Sequence, residues 1–561
     1  MTDPLFEFMK KSNKLILIII FVFIFAIRII GLNWDNGHHL HPDERFLTMV
    51  IEKIQFPSTL SMYFNTSLSP LNPHNQGFDF FVYGTFPVFL NKVIGHFLNL
   101  NTYETIHILG RILSILMDLG ISFFLFKLVF LLSKNFNKAC ISALLYGVMI
   151  LPIQLSHFFT VDTFLNFFIF LTFFCLVYFI KTKKEYFFYL SCLSFGLAFS
   201  SKISAIYFLP FIFYFLFLYK KNFLKNIFLF LILFFLTIRI FQPYFFVNLF
   251  QINLSYLSNF QVLKSLDYNL YYPPALQWFG KTKIIYPLYN LFFWGLGLPL
   301  SCLFIFSLSK LFTKKNLFLT ISLFWILFLI LVQGVQFVQT MRYFLPIYPF
   351  IALIIGFYFD FKKPAWKFFL FLHLIYLLFF LSIFLRPHPR QQASIWLYEN
   401  TQKNESIASE YWDDPLPLIS SQSPYRKQLI LDTVAPESQE KWLTINYQLQ
   451  QSDYLVLSSN RIWLPILNNR QAFKKTASFY SNLFSGNSSF KLIKEFNSYP
   501  GISLPFLTKC LYLGPSNQPS SKNKFVDYLN CDHPGIYLRD DLAEEAFSVY
   551  DHPKVLIFQK Q

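Results

Sequence analysis

Acidic residues are scarce in this chain: 30 Asp and Glu stand against 47 Lys and Arg among 561 residues, and only 14% of positions are charged. So little charge does not cover a water-facing surface of this length, and an ordinary soluble protein is excluded. Six cysteines form no framework. Cys140, Cys175, Cys192 and Cys302 fall in apolar runs, and only Cys510 and Cys531 lie in the polar tail, where they would pair in an oxidising compartment. No small-residue cleavage site follows the first apolar segment, so the stretch after Lys10, Lys11 and Lys14 reads as a retained transmembrane helix. No internal repeat is evident. What abounds is apolar: 55% hydrophobic and 21% aromatic residues, gathered in long runs, describe a polytopic membrane protein. The formal charge of +17 sits largely in short clusters between those runs. That placement selects anionic membrane lipids as the partner and no nucleic acid.

Eleven apolar runs reach spanning length, near 15–32, 104–132, 139–158, 163–180, 186–200, 203–219, 226–247, 286–311, 316–333, 343–361 and 367–385. The fold class is therefore mainly α, a multi-pass protein of about eleven transmembrane helices with a small C-terminal α/β domain. The basic connections at Lys134–Lys138, Lys181–Lys184, Lys220–Lys225, Lys314–Lys315 and Lys362–Lys367 all fall on the N-terminal side. The positive-inside rule makes that side cytoplasmic and the C-terminal domain extracytoplasmic. The segment 81–100 would reverse this pattern if it spanned, and it contains Gly84, Pro87, Lys92 and His96. It is expected to lie on, or dip into, the outer interface. The core then runs over 1–386 with a long first outer loop, 33–103, and the outer domain over 387–561.

On this map the outer face collects the ionisable side chains. "HHLHPDERFL" places Asp43 and Glu44 just past the first span. They read either as an acidic helix start after Pro42 or as a carboxylate held near the apolar boundary, whose basicity desolvation raises. Asp162 stands alone at the end of another hairpin, beside His157, and reads as a turn aspartate or as a second acid of one site. Residues 186–219 must form two spans in 34 residues, each reaching only about 25 Å. Lys202 at their tip should accordingly sit sunk in the membrane, either meeting a lipid phosphate or snorkelling to water. Arg342, followed by Tyr343, stands at the mouth of the tenth span. Arg111 shares a helical face with Asp118 seven residues on, so an ion pair explains it as well as substrate contact does. Tyr83, Gln277 and Trp278 read as an interfacial belt or as sugar-contacting groups.

Taken in order from residue 41 to 350, "HPDERF", "FVYGTFPVFL", "GRILSILMD", "LPIQLSHFFTVDT", "GLAFSSKISA", "QPYFF", "YYPPALQWFG", "WGLGLPL" and "MRYFLPIYPF" resemble the polyprenyl-phosphate-dependent glycosyltransferases of the GT-C fold, in the family 39 and protein O-mannosyltransferase-like group. The resemblance implies a hexosyl or pentosyl transferase of the cell envelope. Its donor would be a polyprenyl-phosphate-linked sugar and its acceptor a protein, lipid or glycan. Asp43 with Glu44 would activate the acceptor, Asp162 would be the second acid, and Lys202 with Arg342 would hold the phosphate. It implies inversion at the anomeric carbon. Some relatives use a divalent metal ion and others do not; His41 and His157 are the candidate ligands, and no cofactor is certain. The tail carries strand-like "SIASE", "QLILDT", "DYLVLSS" and "FKLIKEF", with "YWDDPLP" and "DYLVLSSNR" recurring in similar tails; a cap over the site and an acceptor-binding module are both open roles. A lipid or sugar transporter is the rival class. It calls for broken helices with charge near the bilayer centre and two similar halves.

Overall fold

The computed structural model describes residues 10–418, 427–518, 526–527, 531 and 533–561. The chain is mainly helical, with a small C-terminal domain containing two sheets. Every expected span is helical. Among the described residues, seven helices are long and apolar enough to cross a membrane: Lys11–Ile29, Tyr103–Ser133, Val161–Thr182, Phe223–Phe241, Leu317–Gly334, the stretch Met341–Tyr358, and the stretch beginning at Pro364. Their lipid-facing sides are openly apolar, with Leu15, Ile18, Ile19 and Val22 all more than half exposed. The run 203–219 forms a shorter apolar helix beside the 17-residue Glu185–Ser201. Two expected spans are broken. Phe136–Gly147 and Ile150–Ser156 meet at 59°, and Ile285–Gly295 and Leu298–Thr313 meet at 110°. The run 286–311 is thus not one straight helix. Gly297 takes a positive φ of 81° at the bend, a conformation available to glycine at no steric cost.

The basic connections meet at one end of the bundle. Lys138 lies over Phe357 and Lys181 over Phe318, each at 5.3 Å, and Lys310 reaches Asp360 at 3.5 Å. The first long loop contains the helix Pro42–Lys53 and the helix Thr85–Leu98. At 14 residues the latter is about 21 Å long, too short to cross about 30 Å of hydrocarbon. It is clamped to the short hairpin at Gly84, whose N–H donates to the Ser201 carbonyl at 3.0 Å. A Cβ here would stand 2.0 Å from the Ser200 carbonyl oxygen, so this approach requires glycine. The contact carries Tyr83 to within two residues of Lys202 along the joined backbones.

After Leu385 the helix Pro389–Asn400 leads into β1 (Ser406–Glu410), β2 (Lys427–Leu431), β3 (Tyr454–Leu457), β4 (Phe490–Phe496), β5 (Gly501–Ser503), β6 (Cys510–Leu513), β7 (Val526–Asp527), β8 (Gly535–Leu538) and β9 (Val555–Lys560). The larger sheet has the order β2-β1-β3-β9-β4, parallel from β2 through β3 and antiparallel at β9. The central β3, "YLVL", is buried at all four positions, as an apolar run covered on both faces must be. The second sheet, β5-β8-β6-β7, is not anticipated by the strand-like runs of the sequence; Cys510, the first residue of its interior strand β6, is bridged to Cys531. The domain packs directly on the membrane core, where Gln154 donates to the Phe547 carbonyl at 2.6 Å and to Asp551 at 2.9 Å.

Candidate active site

The helix Pro42–Lys53 fixes two neighbouring carboxylates in opposite directions. His41 is its N-cap, with Nδ1 accepting from the Glu44 N–H at 3.4 Å, and its ring is wedged between Phe158 and Tyr550 at 4.6 and 4.3 Å. Pro42 supplies a preset φ at the first helical position.

Glu44 turns into the protein. It accepts from Arg111 Nε at 2.9 Å and from the Phe159 N–H at 2.7 Å, while Arg111 also donates to Asp35 at 2.9 Å. All three side chains are fully buried. Burial pushes the Glu44 carboxyl up despite the guanidinium; Asp35 is likewise desolvated, but Arg111 wins there and holds it well below the usual range. Two expectations are thereby corrected. Glu44 is sealed in a buried ion cluster instead of facing an acceptor, and Arg111 pairs with Asp35 and Glu44 instead of Asp118. Asp118 takes Arg28 Nε at 2.9 Å and the Tyr146 hydroxyl. Periodicity places two residues on one helix face and says nothing of a nearer partner on another helix.

Asp43 turns the other way, onto Arg342, and also accepts from the Tyr83 hydroxyl. About a fifth of each side chain in the Asp43–Arg342 pair remains accessible. The expectation that desolvation raises the basicity of Asp43 is corrected by this pairing: burial does push its carboxyl up, but Arg342 and His41 outweigh it and hold it at about 2. Beyond Arg342 lies Tyr343, whose ring is 5.6 Å from the Arg342 guanidinium and 4.3 Å from Lys202 Nζ. Lys202 in turn donates to Asp162 at 2.7 Å. Asp43, Arg342, Tyr343, Lys202 and Asp162 therefore form one row, a carboxylate at each end and two cations inside, with an aromatic face at its middle. The Lys202 end opens on a cavity of about 270 Å³ lined by Asp162, Lys202, Tyr207, Lys264, Asp267 and Tyr343. Asp267 is desolvated there and pushed up to about 6. Neither Lys264 nor Asp267 was singled out in the sequence, because both sit in an unremarkable polar helix, Leu254–Asp267.

Gln277, Trp278 and His157 lie elsewhere. Gln277 donates to Glu545 at 2.5 Å, and Trp278 is buried edge-on to Tyr286. His157 is locked between the Ile153 and Ile30 carbonyls at 2.8 Å each and stacks on Phe384 at 3.8 Å. It and His41 do not converge on a common ligand position, and among the described residues no group of three His, Cys, Asp or Glu could hold a metal ion. The site instead gains residues from the tail. Glu544 accepts from the Met341 N–H at 2.7 Å, and its own N–H donates to Asn290 at 2.7 Å, so it ties the helical turn bearing Arg342 to the broken span. Burial pushes Glu544 up to about 8. Asp413 accepts from Arg390 at 2.9 Å, and Arg45 donates to both Asp414 oxygens at 2.9 Å. The recurring "YWDDPLP" was the signal for these last two acids.

Residues 105–246 match the family model described as dolichyl-phosphate-mannose-protein mannosyltransferase. The middle of this membrane core carries that family's pattern. The match covers about a quarter of the chain and includes Arg111, His157, Asp162 and Lys202. Among solved structures, the Archaeoglobus fulgidus oligosaccharyltransferase complex with Zn and sulfate is similar with a TM-score of 0.46 and 12% identity, over 85% of this chain and 71% of that one. ArnT from Cupriavidus metallidurans in the apo state gives a TM-score of 0.47 and 11% identity, over 80% of this chain and 94% of that one. ArnT from the same organism bound to undecaprenyl phosphate gives 0.45 and 11% over the same shares. No curated protein sequence matches the chain.

Proposed function

We propose that this protein is an inverting membrane glycosyltransferase that moves a sugar from a polyprenyl-phosphate donor to an acceptor hydroxyl or amine on the extracytoplasmic side. The observation that carries the reading is the row Asp43–Arg342–Tyr343–Lys202–Asp162, two cations flanked by two carboxylates beside a cavity. The family match over 105–246 supplies the lipid-phosphate-linked class of donor. The gathering of basic connections at the opposite end of the bundle supports the sidedness.

The donor phosphate draws Lys202 away from Asp162 and Arg342 away from Asp43, because a phosphate offers each cation a stronger partner than one carboxylate. Loss of the guanidinium raises the basicity of Asp43 just when the sugar arrives. The acceptor oxygen or nitrogen attacks the anomeric carbon from the side opposite the phosphate, and its proton passes to Asp43. As the new bond forms, the bond from the anomeric carbon to the phosphate oxygen breaks. The electron pair leaves on polyprenyl phosphate, where the two cations stabilise the developing charge. A single displacement inverts the centre. The transporter reading gains nothing: the helix breaks at 148–149 and 296–297 carry no charged residue, and the buried Arg28–Asp118 pair is closed on itself.

The test uses purified protein in liposomes with a polyprenyl-phosphate-linked sugar, reading the release of polyprenyl phosphate. Asp43→Asn should lower turnover by roughly 100-fold or more, the usual loss on removing a general base, while expression and the unfolding midpoint hold. Unchanged turnover in that variant would overturn the assignment.

A further inference from the structure

A cavity of about 560 Å³ lies between the first loop and the C-terminal domain and takes no part in the chemistry above. Its size falls in the range of roughly 300–1,000 Å³ typical of small-molecule sites. Pro42 lines it, one residue before Asp43, and so does Tyr550, whose ring packs on His41. The cavity is therefore next to the carboxylate that the proposed transfer uses as base.

Its wall pairs exposed rings with guanidinium–carboxylate groups. Tyr411 is 47% exposed and Trp412 37%, so each ring keeps open surface at the cavity. Trp412 is also held at a φ of 102°, a region that side chains other than glycine seldom enter. Such strain persists where the surroundings fix a residue for use. Its ring is braced edge-on against Tyr272 at 5.1 Å. Around the rings, every cation already has an anion. Arg45 is bidentate on Asp414 at 2.9 Å, Arg390 holds Asp413 at 2.9 Å, and Arg461 holds Asp413 at 3.4 Å and Glu545 at 2.5 Å. Glu410 accepts from the Tyr480 hydroxyl at 2.5 Å.

Arg390 and Arg461 are each shared between two carboxylates and Arg45 is bidentate on one, so these guanidiniums gain less from an incoming anion than the singly paired Lys202 and Arg342 do. Asp413, Asp414 and Glu545 balance the three cations. The wall offers flat rings together with fixed donors and acceptors in planar groups, which suit the faces and vicinal hydroxyls of a neutral sugar. We infer that this cavity is the acceptor subsite and that the acceptor is a neutral saccharide hydroxyl, with Trp412 as its stacking platform. The inference rests on the transferase reading for the word acceptor, while saccharide binding itself is measurable without it.

The experiment is saturation-transfer NMR on the full-length protein in detergent with methyl α- and β-hexopyranosides and, separately, a Ser/Thr-containing peptide. Wild type and Asp43→Asn should both bind the glycosides. Trp412→Gly removes the ring and relaxes the backbone, so its unfolding midpoint should hold or rise while glycoside binding falls roughly tenfold or more. Glycosides that fail to bind wild type, or that bind Trp412→Gly equally well, would overturn the inference. So would Trp412-dependent binding of the peptide alone, in favour of a polypeptide acceptor. These results are separate from the fate of the transferase reading, which stands or falls on donor turnover in Asp43→Asn.

Discussion

Replacing Arg111 by Met tests whether this residue builds the site or touches substrate. Its guanidinium lies between Asp35 and Glu44, all three with no accessible side-chain surface. Removing the cation leaves two buried carboxylates without their partner, and breaking one such pair costs about 3–5 kcal/mol. That is about a fifth or more of the roughly 5–15 kcal/mol that stabilises an ordinary domain. Glu44→Gln is the milder change. Arg111 keeps Asp35, and the new amide oxygen still accepts a hydrogen bond, so the loss should be about 1–3 kcal/mol. The triple variant Arg111→Met, Asp35→Asn, Glu44→Gln should recover much of what Arg111→Met loses, because no buried charge is then left unpaired. The assay is the unfolding midpoint in detergent by intrinsic fluorescence, with 9 tryptophans as reporters, read beside donor turnover. If Arg111→Met keeps the wild-type midpoint yet loses donor binding, the cluster is not structural and the substrate role inferred from sequence stands.

Two further outcomes follow from the same geometry. Lys202→Met should raise the KM for the donor roughly 10- to 100-fold, the value of a charged hydrogen bond of about 1.5–3 kcal/mol, with a smaller effect on KM for the acceptor; equal effects on both would remove Lys202 from the phosphate site. Glu544 is held up at about 8 by burial, against an ordinary value of 4.5, so between those values the folded state carries a proton that the unfolded state lacks. Stability should therefore fall as pH rises through this window. Glu410, also raised to about 8, contributes with the same sign, so Glu544→Gln should reduce the slope of unfolding midpoint against pH without abolishing it. An unchanged slope would contradict the burial of Glu544.

The membrane core was legible because a bilayer demands long apolar runs, and the shortness of the helical hairpin that turns at Lys202 followed from counting residues. The direct pairing of Asp43 with Arg342 was not legible, since 299 residues separate them and only the family resemblance put both in one site. Nor was the difference between Asp43 and Glu44: adjacent carboxylates look alike in sequence, and the turn of a helix sends one to the cavity side and the other into a closed cluster. The bend at Gly297 escaped for a related reason, because an apolar run gives the same hydropathy whether it crosses or doubles back. In the tail, "YWDDPLP" drew notice without revealing that its acids would meet Arg45, Arg390 and Arg461 from three separate segments.

The most direct measurement is a density map of the protein with polyprenyl phosphate bound. Phosphate oxygens within hydrogen-bond distance of both Lys202 Nζ and the Arg342 guanidinium, with Asp43 released from Arg342, is the expected result. A phosphate bound elsewhere, with the Asp43–Arg342 and Lys202–Asp162 pairs both intact, would contradict the proposed site.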